Sequence, residues 1–400
     1  MTSLAERWGI HPGQFWLYGR QPEQAVRFDE AMGAWNIYGH AEVLEALSTP
    51  DVFSSAETAR LMPDNAEDSF TAGDLLQMDP PDHRMLRNVV SRAFTPNVVA
   101  GLEPRISELT RELLDSVAGE DEFDLMSSLA FPLPVTVVAE LLGIPAADAH
   151  LFEGWMTGVV GELGDTSLAD SSEEQERAFG AAMEHMRAML GYLREHIAEC
   201  RRSPREDLLG GLLAAELDGQ RLSDEHIVGF AKMLLIAGYL STTMLIGNTV
   251  LCLDHFPDQA ARVRADRSLV PGLIEESLRY LSPVAATYRA TTREVEIGGQ
   301  RLSAGKMTLL WFGAANRDVR AFADPMVFDP TRTPNPQLGF GRGIHFCLGA
   351  PLARMEGRIM MNMLFDRYSE LRPDPDKPPT FMQAPDTTGV TSLPIRTRAN

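Results

Sequence analysis

The spacing of apolar residues along the chain predicts a protein built mostly from helices. Over long stretches apolar residues recur at every third or fourth position, which places them on one face of a helix. The longest predicted helix runs from Ser223 to about His255, because a hydroxyl N-cap is followed by two acids, Asp224 and Glu225, and then by an apolar run. At 1.5 Å per residue it would be roughly 50 Å long. Further helices are predicted at residues 22–32, 40–47, 102–117, 125–142, 146–161, 173–202, 271–281 and 351–367.

Alternating apolar and polar positions form shorter runs and predict a small amount of β-structure. Residues 34–38 form one expected strand, and residues 387–395 read as a last hairpin. Several strands are expected in residues 284–312, with Gly298 and Gly299 at a hairpin turn and Arg289 at the beginning of the first strand. Residues 54–77 and 316–336 are rich in turn-forming residues and predict long irregular segments.

Composition restricts the class of protein. The 400 residues carry 36 basic and 56 acidic side chains, and the formal charge of −20 disfavours nucleic acids and anionic membranes as partners. Near the N-terminus no apolar run is long enough for a signal peptide or membrane anchor, so we expect a soluble, cytoplasmic protein. The cysteines, Cys200, Cys252 and Cys347, are odd in number and show no C-x-x-C spacing, which argues against disulfides, a zinc site or a cysteine-bound iron–sulfur cluster.

Cys347 lies in a glycine-rich loop, F-G-R-G-I-H-F-C-L-G, directly before a predicted helix. Glycines beside a thiol let backbone N–H groups approach the sulfur, and both N–H donors and a helix N-terminus favour thiolate over thiol. Such a thiolate can ligate a soft metal, including haem iron. A buried structural cysteine in a turn is the alternative interpretation.

The pattern F-G-x-G-x-H-x-C-x-G, with every fixed position present, resembles the haem-ligand loop of the cytochromes P450. The resemblance covers nearly the whole chain. It implies a single cytochrome P450 domain over residues 1–400, mainly α with a small β lobe, folded as a triangular helical prism around haem b. It also implies that Cys347 is the metal ligand and that the same loop contacts the cofactor through Phe340, Gly341, His345 and Gly349.

Two further motifs resemble those of the same family. The string D-P-P-x-H-x-x-x-R puts His83 and Arg87 on one face of a helix that we expect to open at its prolines. The resemblance implies that both residues, together with Arg289 and His345, bind the haem propionates. The pair Glu276-x-x-Arg279 is ordinary on a helix surface, but its position corresponds to the family's E-x-x-R and implies a structural ionic cluster with Arg332.

The centre of the longest predicted helix contains the string A-G-Y-L-S-T-T. Its two small residues, Ala237 and Gly238, allow a flat ligand to lie against the helix, and nearby hydroxyl groups can bond to helix carbonyls and open the helix locally. The string matches the place of the family's A-G-x-[DE]-T-T, which implies haem contacts at both small residues and catalytic hydroxyls at Ser241 and Thr242. It departs from that pattern twice, because Leu240 replaces the acid and a serine replaces the first threonine. The resulting string, A-G-x-x-S-T, resembles that of P450s that oxidise cyclic dipeptides.

The resemblance also implies where substrate binds. Residues 54–77 would arch over the distal face as a lid, and the two helices joined by residues 164–172 would move as a gate. A simple surface loop and simple helix packing are the alternatives. The expected pocket is apolar with few polar anchors and is lined by Leu75, Leu76, Met78, Met233, Leu240, Val284, Thr387 and Thr388.

Three functions are compatible with these features. The first is an O₂-dependent hydroxylation or epoxidation of an apolar secondary metabolite, of polyketide, terpenoid or cyclic-peptide type. The second is oxidative coupling or rearrangement without oxygen insertion, for example of aromatic cyclic dipeptides. The third is a non-catalytic haem-thiolate sensor.

The expected redox partners follow from what the sequence does not contain. Since it shows no reductase-like segment, we expect electrons from a ferredoxin with its reductase. Such a partner could dock near Arg342, Arg354 and Arg358, although solvated arginines are an equally good interpretation. A monomer that acts on a small apolar substrate is expected.

Overall fold

The computed structural model describes residues 4–61, 73–163, 173–205, 207–217 and 220–400, and most of these residues are helical. In chain order the α-helices are α1 (Leu4–Trp8), α2 (His40–Ser48), α3 (Ala56–Leu61), α4 (Asp82–Val90), α5 (Pro96–Gly101), α6 (Glu103–Ser116), α7 (Pro132–Leu141), α8 (Ala149–Leu163), α9 (Glu173–Arg202), α10 (Leu208–Ala214), α11 (Asp224–His255), α12 (Pro257–Ala265), α13 (Val270–Tyr280), α14 (Phe312–Ala315) and α15 (Ala350–Arg367). The prediction of a mainly helical fold with a small β part is confirmed.

The strands are short and form one larger and several smaller sheets. In chain order they are β1 (Val26–Asp29), β2 (Ala34–Ile37), β3 (Phe53–Ser54), β4 (Glu122–Asp124), β5 (Glu216–Leu217), β6 (Gln220–Arg221), β7 (Thr287–Thr291), β8 (Val295–Ile297), β9 (Gln300–Leu302), β10 (Met307–Leu310), β11 (Tyr368–Pro373), β12 (Thr380–Phe381), β13 (Val390–Ser392) and β14 (Pro394–Ala399). The hairpin predicted at Gly298 and Gly299 is confirmed, since both glycines have positive φ and connect β8 to β9.

Helix α11 is the core helix of the fold. Its first turn is capped by Ser223, whose hydroxyl accepts a hydrogen bond from the N–H of His226. Buried residues surround most of the helix, which packs against α7, α9, α13 and α15, and this explains why it lacks a polar face. Of the described helices, it is the one long and apolar enough to cross a membrane. Because most of its apolar stretch is buried inside the protein, we interpret it as a core helix.

The five-stranded sheet has the strand order β1-β2-β10-β7-β3 and fixes the position of Arg289. Its strands are antiparallel except for β10 beside β2. Arg289 is the central residue of β7 and pairs with Thr308 of β10. The expectation that Arg289 begins its strand is therefore wrong, because pairing with β10 extends β7 back to Thr287.

The helix predicted at residues 22–32 is also wrong. The segment contains strand β1, which pairs antiparallel with β2. A tight turn closes this hairpin, because the carboxylate of Asp29 accepts hydrogen bonds from the N–H groups of Ala31 and Met32, and Gly33 has a φ of 62°. Pairing with a buried neighbouring strand outweighs the apolar spacing of so short a segment.

The C-terminal hairpin predicted at residues 387–395 is wrong as well. Strand β13 pairs with β12, whereas β14 lies between β11 and β4 in a different sheet. The carboxylate of Asp124 accepts a hydrogen bond from the N–H of Leu393, where the chain passes from one sheet to the other. The turn that carries Thr387 and Thr388 therefore joins β12 to β13 and comprises residues 382–389, which we call the β12–β13 loop.

Parts of the expected lid and gate lie outside the described residues, namely 62–72 and 164–172. After the first gap the chain continues with a single 3₁₀ turn, Leu75–Gln77, capped by the carboxylate of Asp74. The prolines of the D-P-P string precede helix α4, which begins at Asp82, so they do not occupy its first turn as expected. Both prolines lie in the turn before the helix, where the carbonyls of Asp79 and Pro81 accept hydrogen bonds from the N–H groups of His83 and Met85.

Candidate active site

Cys347 is held in a loop whose backbone requires glycine. Gly341 and Gly343 have φ values of 67° and 72°, in the left-handed region that side chains disfavour. A side chain on Gly343 would also collide with the carbonyl oxygen of Leu47. The loop closes through a hydrogen bond of 2.9 Å from the N–H of Cys347 to the carbonyl of Phe340. The first two glycines of the motif, Gly341 and Gly343, are thus explained by local geometry.

The protonation of the Cys347 thiol is controlled by its surroundings. The residue keeps some accessible surface, but protein atoms surround the sulfur densely, and this burial raises the pKa of the thiol. The N–H groups of Gly349 and Ala350 and the charges of Arg87 and Arg354 act in the opposite direction but are smaller effects. The N–H groups therefore favour thiolate, as expected, but burial outweighs them. A metal cation bound to sulfur removes the proton.

Four basic side chains converge beside this loop. The ring centroids of His83 and His345 lie 4.4 Å apart, Arg289 is 8% exposed, and Arg87 donates a hydrogen bond of 2.6 Å to the carbonyl of Phe346. The pKa of His345 falls to about 3 because of burial and, next, the charge of Arg289. Burial is also the largest cause of the lowered pKa of His83, followed by the charge of Arg87.

Among the described residues, this basic cluster is short of negative charge. Asp79 is the acid whose charge acts on both His83 and Arg289, and its carboxylate already accepts hydrogen bonds from the hydroxyl of Ser54 and the N–H of Ser55. The buried Nε2 atom of His83 has no hydrogen-bond partner in the described part of the chain. A ligand with two carboxylates, such as the propionates of haem, supplies both the charge and the acceptors that are missing. The residues present therefore fit a haem group.

Replacing Arg289 with leucine is expected to shorten haem retention without removing the thiolate signature in the spectrum. One charge-assisted hydrogen bond is worth about 1.5–3 kcal/mol, so haem affinity should fall by about tenfold or more. The rate of haem transfer to apomyoglobin measures the effect. Arg293→Leu is the control, because Arg293 is an exposed arginine of the same segment. Unchanged haem transfer in a double variant that also carries His83→Leu would contradict the propionate assignment.

At its middle, α11 has an accessible strip within a buried helix. Ala237 is exposed and Gly238, Leu240 and Ser241 are partly exposed, whereas the flanking turns are mostly buried. Ala237 and Ser241 share one helix face. The Ser241 hydroxyl donates a hydrogen bond of 2.8 Å to the carbonyl of Ala237 and can still accept one. The helix is continuous here, so the expected local opening is not observed.

Gly238 was predicted to contact haem and Thr242 to carry a catalytic hydroxyl, but both residues are closely packed against other parts of the protein. A Cβ on Gly238 would lie 2.9 Å from a methyl group of Val138 in α7, so this glycine allows two helices to approach closely. Thr242 is 4% exposed. Of the two predicted catalytic hydroxyls, it is that of Ser241 that lies in the strip.

The residues predicted to line the pocket differ in accessibility. Leu76 and Val284 are apolar yet 55% and 40% exposed. Met78, Leu240 and Thr387 are partly exposed, and the other three are buried, namely Leu75, Met233 and Thr388. The buried residues can shape a pocket by supporting others, as described below for Thr388.

A buried ion pair that sequence reasoning missed connects α11 to the segment with Leu75 and Leu76. Lys232 Nζ lies 3.4 Å from Asp74 Oδ2, and 7% and 10% of the two side chains are exposed. Asp74 also accepts a hydrogen bond of 3.0 Å from the N–H of Leu76. A lysine within an apolar helix is a visible signal of a paired charge, but the sequence does not identify a partner 158 positions away.

Glu276, Arg279 and Arg332 meet in one ionic cluster. Glu276 Oε1 lies 2.7 Å from Nη2 of Arg279 and 3.2 Å from Nε of Arg332. The side chains of Glu276 and Arg279 are 0% exposed. Arg279 also donates hydrogen bonds to the carbonyls of three residues of the irregular segment, Asn316, Pro325 and Val327. The cluster thus attaches α13 to the chain that leads into the cysteine loop.

Two of the three arginines considered for partner docking are already paired. Arg354 lies 2.5 Å from Glu275, and Arg358 lies 2.9 Å from Glu103. Arg342 is exposed. Pairing with acids weakens the positive potential that an acidic protein would meet at this surface.

Helix α15, which follows the cysteine loop, contains a carboxyl group that should make stability depend on pH. Glu356 is 1% exposed, and burial raises the pKa of its carboxyl from 4.5 to about 8. Between these values the unfolded chain loses a proton that the folded protein keeps, so the free energy of unfolding should fall as pH rises, by about 1.4 kcal/mol per pH unit at most.

Urea unfolding measured between pH 5 and pH 8 is the test of Glu356, and Glu356→Gln is expected to remove most of this slope. The exposed Glu195 of α9 provides the control variant Glu195→Gln. A slope that is equally steep in Glu356→Gln and wild type would contradict the assignment.

Comparison with known proteins places the chain among close relatives. A family model described as Cytochrome P450 matches residues 165–398. Cyclomarin C epoxidase CymV of Salinispora arenicola is 41% identical over 96% of this chain and 95% of its own, and the erythromycin C-12 hydroxylase of Saccharopolyspora erythraea is 41% identical over 90% and 88%. The crystal structure of HmtN, a post-tailoring hydroxylase involved in himastatin biosynthesis, is 66% identical, covers 100% of both chains and superimposes with a TM-score of 0.90.

Proposed function

We propose that this chain, which belongs to the cytochrome P450 family, hydroxylates or epoxidises a large apolar secondary metabolite late in its biosynthesis. The observation that carries the proposal is the accessible strip of α11, where Ala237 and Ser241 interrupt a buried helix with small side chains. The full-length similarity to HmtN supports a late hydroxylation on a himastatin-like compound. The similarity to the cyclomarin C epoxidase supports epoxidation equally well as the reaction.

The residues of this chain would divide the work between holding haem and holding substrate. When bound, haem with a thiolate ligand supplies the reductive activation of O₂. Cys347 would hold the iron, and His83, Arg87, Arg289 and His345 would bind the propionates. Exposed apolar side chains, Leu76 and Val284, would exclude water from the substrate side.

Proton supply in this proposal depends on Ser241, because Leu240 has no ionisable group. The Ser241 hydroxyl donates a hydrogen bond to the carbonyl of Ala237, and its oxygen can still accept a hydrogen bond from an O–H or N–H group of water or of the substrate. The serine can therefore orient a proton donor although it is a poor acid itself. A substrate with its own acidic O–H or N–H would make a protein acid unnecessary.

The absence of an ionisable group at Leu240 favours a second candidate, oxidative coupling or rearrangement without oxygen insertion. Under this hypothesis Leu240→Glu should not increase product formation, because the substrate supplies its own proton. A large gain in coupled turnover from Leu240→Glu would argue for ordinary hydroxylation limited by proton delivery. The conservative control is Leu240→Gln, which adds polarity but no acid.

The deciding experiment uses the purified holoenzyme with a ferredoxin, its reductase and dioxygen enriched in the heavy oxygen isotope. Candidate substrates are chosen first by the Soret shift that cyclomarin C, erythromycin precursors and himastatin precursors produce. One heavy oxygen atom in the product is the expected result, and a product without label would favour the second candidate. Absence of the thiolate-type spectrum in folded protein would contradict the assignment altogether.

Partners and location complete the proposal. We infer that electrons come from a ferredoxin with its reductase and that the enzyme works as a cytoplasmic monomer. The exposed Arg342 is available for an acidic ferredoxin, whereas Arg354 and Arg358 would first have to exchange their own partners, Glu275 and Glu103. A strong salt dependence of the electron-transfer rate would support this kind of docking.

A further inference from the structure

The side chain of Gln14, near the N-terminus, makes all its hydrogen bonds to the β12–β13 loop. Its side chain is 0% exposed. The Nε2 group donates hydrogen bonds to the carbonyls of Ala384 at 3.2 Å and Thr387 at 2.8 Å, and Oε1 accepts a bond of 2.7 Å from the hydroxyl of Thr388. Both N–H donors and the carbonyl oxygen of the amide are therefore engaged.

The same loop is attached to β7 and to the segment that precedes it. The carbonyl of Asp386 accepts a hydrogen bond of 2.8 Å from the N–H of Ala285, and its carboxylate accepts one of 2.6 Å from the hydroxyl of Tyr288. Val284 and Thr387 form an isolated β-bridge. These contacts make the two segments one continuous wall.

Helix α11 holds the loop from another side. Asn248, which is 0% exposed, donates hydrogen bonds to the carbonyls of Thr388 at 2.8 Å and Leu281 at 3.0 Å. Asn248 lies seven residues, or about two turns, beyond Ser241 on the same helix. These bonds fix the position of the loop relative to the helix that carries the accessible strip.

From this arrangement we infer that Gln14 is a positioning residue that fixes the pocket wall formed by Val284 and Thr387. The inference rests on the proposed function only in taking these two partly accessible residues as part of the pocket. Without the amide, two loop carbonyls and a buried hydroxyl lose their partners, which is costly unless the loop moves. A loop that moves carries Val284 with it through the β-bridge.

Two variants and two matched controls test the inference. Gln14→Met keeps the length of the side chain and removes its hydrogen bonds, and Thr388→Val removes the bonded hydroxyl. Asn36→Leu is the control for a buried amide, because Asn36 is 2% exposed and bonds to Trp311. Thr110→Val is the control for a buried hydroxyl, because Thr110 is 0% exposed and bonds within its own helix.

Hydrogen exchange of the holoenzyme provides the first measurement. Amides of residues 382–389 should exchange about fivefold faster or more in Gln14→Met, because the variant lacks three hydrogen bonds to the loop and the loss of even one corresponds to about this factor. The second measurement is the affinity for imidazole and for the bulkier phenylimidazole, read from the Soret shift. The phenylimidazole-to-imidazole affinity ratio should change by a similar factor in Gln14→Met and Thr388→Val and stay constant in both controls.

Three results would overturn the inference: unchanged exchange in Gln14→Met, faster exchange with an unchanged affinity ratio, or an equal change of the ratio in Asn36→Leu. Failure of the proposed function is a separate result, since it would show as a missing thiolate-type spectrum in wild type. The affinity ratio could not then be measured, but unchanged exchange would still exclude the role of Gln14.

Discussion

Replacing Cys347 with alanine is expected to abolish the thiolate-type Soret band of the reduced carbon monoxide complex and all oxidation of substrate. In the described structure the other two cysteines cannot substitute, because Cys200 and Cys252 are 1% and 0% exposed and lie in helices α9 and α11. The physical reason for the loss is that an anionic sulfur ligand is what promotes cleavage of the O–O bond. Absorption spectroscopy of the reduced, carbon monoxide-treated protein is the measurement.

Cys200→Ala is the matched control for this substitution. It also removes a buried thiol, but one near His196 in α9 rather than in the glycine-rich loop. The control should retain the band, with a modest loss of stability from the small cavity. A thiolate-type band that survives in folded Cys347→Ala would overturn the ligand assignment.

Arg279→Lys is expected to cost about 3 kcal/mol or more of folding stability and to lower haem incorporation, although it preserves the charge. The guanidinium of Arg279 uses its five N–H groups on Glu276 and on three backbone carbonyls. An ammonium group has three N–H donors and cannot span these acceptors. Buried carbonyls and part of the Glu276 carboxylate would lose their partners.

Urea unfolding of the purified proteins measures this loss, and the ratio of Soret to protein absorbance reports haem incorporation. Arg293→Lys is the control, because Arg293 forms an exposed ion pair with Asp51 in which 62% and 66% of the side chains are accessible. Exposed pairs of this kind contribute about 0–1 kcal/mol. Equal stability losses in the two variants would show that burial of the cluster has no energetic weight.

The sequence predicted the features that depend on local pattern. Helix α11 could be predicted because an N-cap serine and two acids precede a long apolar run, and the hairpin at Gly298 and Gly299 because both positions need positive φ. The cysteine loop was recognisable for the same reason, since the backbone has positive φ at Gly341 and Gly343 and therefore favours glycine there. These requirements are local and leave a trace in the residues themselves.

Features that depend on distant partners were missed. Strand β1 looked helical because its pairing with the buried strand β2 is not visible in its own apolar spacing, although the turn at Asp29 and Gly33 is a local signal of the hairpin. The bonds of Gln14 to the β12–β13 loop span up to 374 positions and have no counterpart in the local sequence. The N–H donors near Cys347 favour thiolate as the sequence predicted, but burial, a property of the whole fold, outweighs them and raises the pKa of the thiol.

The attachments along α11 set rules for exchanging parts between related enzymes. Lys232 fixes the segment beyond Asp74 at one level of the helix, and Asn248 fixes the β12–β13 loop at another, 16 positions along. A single crossover between these two residues keeps each anchor with its own partner, because Asp74 precedes Lys232 in the chain and the β12–β13 loop follows Asn248. A crossover between Asp74 and Lys232, or between Asn248 and Thr388, separates an anchor from its partner. Libraries built by recombination should therefore retain more folded members when both of these intervals are inherited whole.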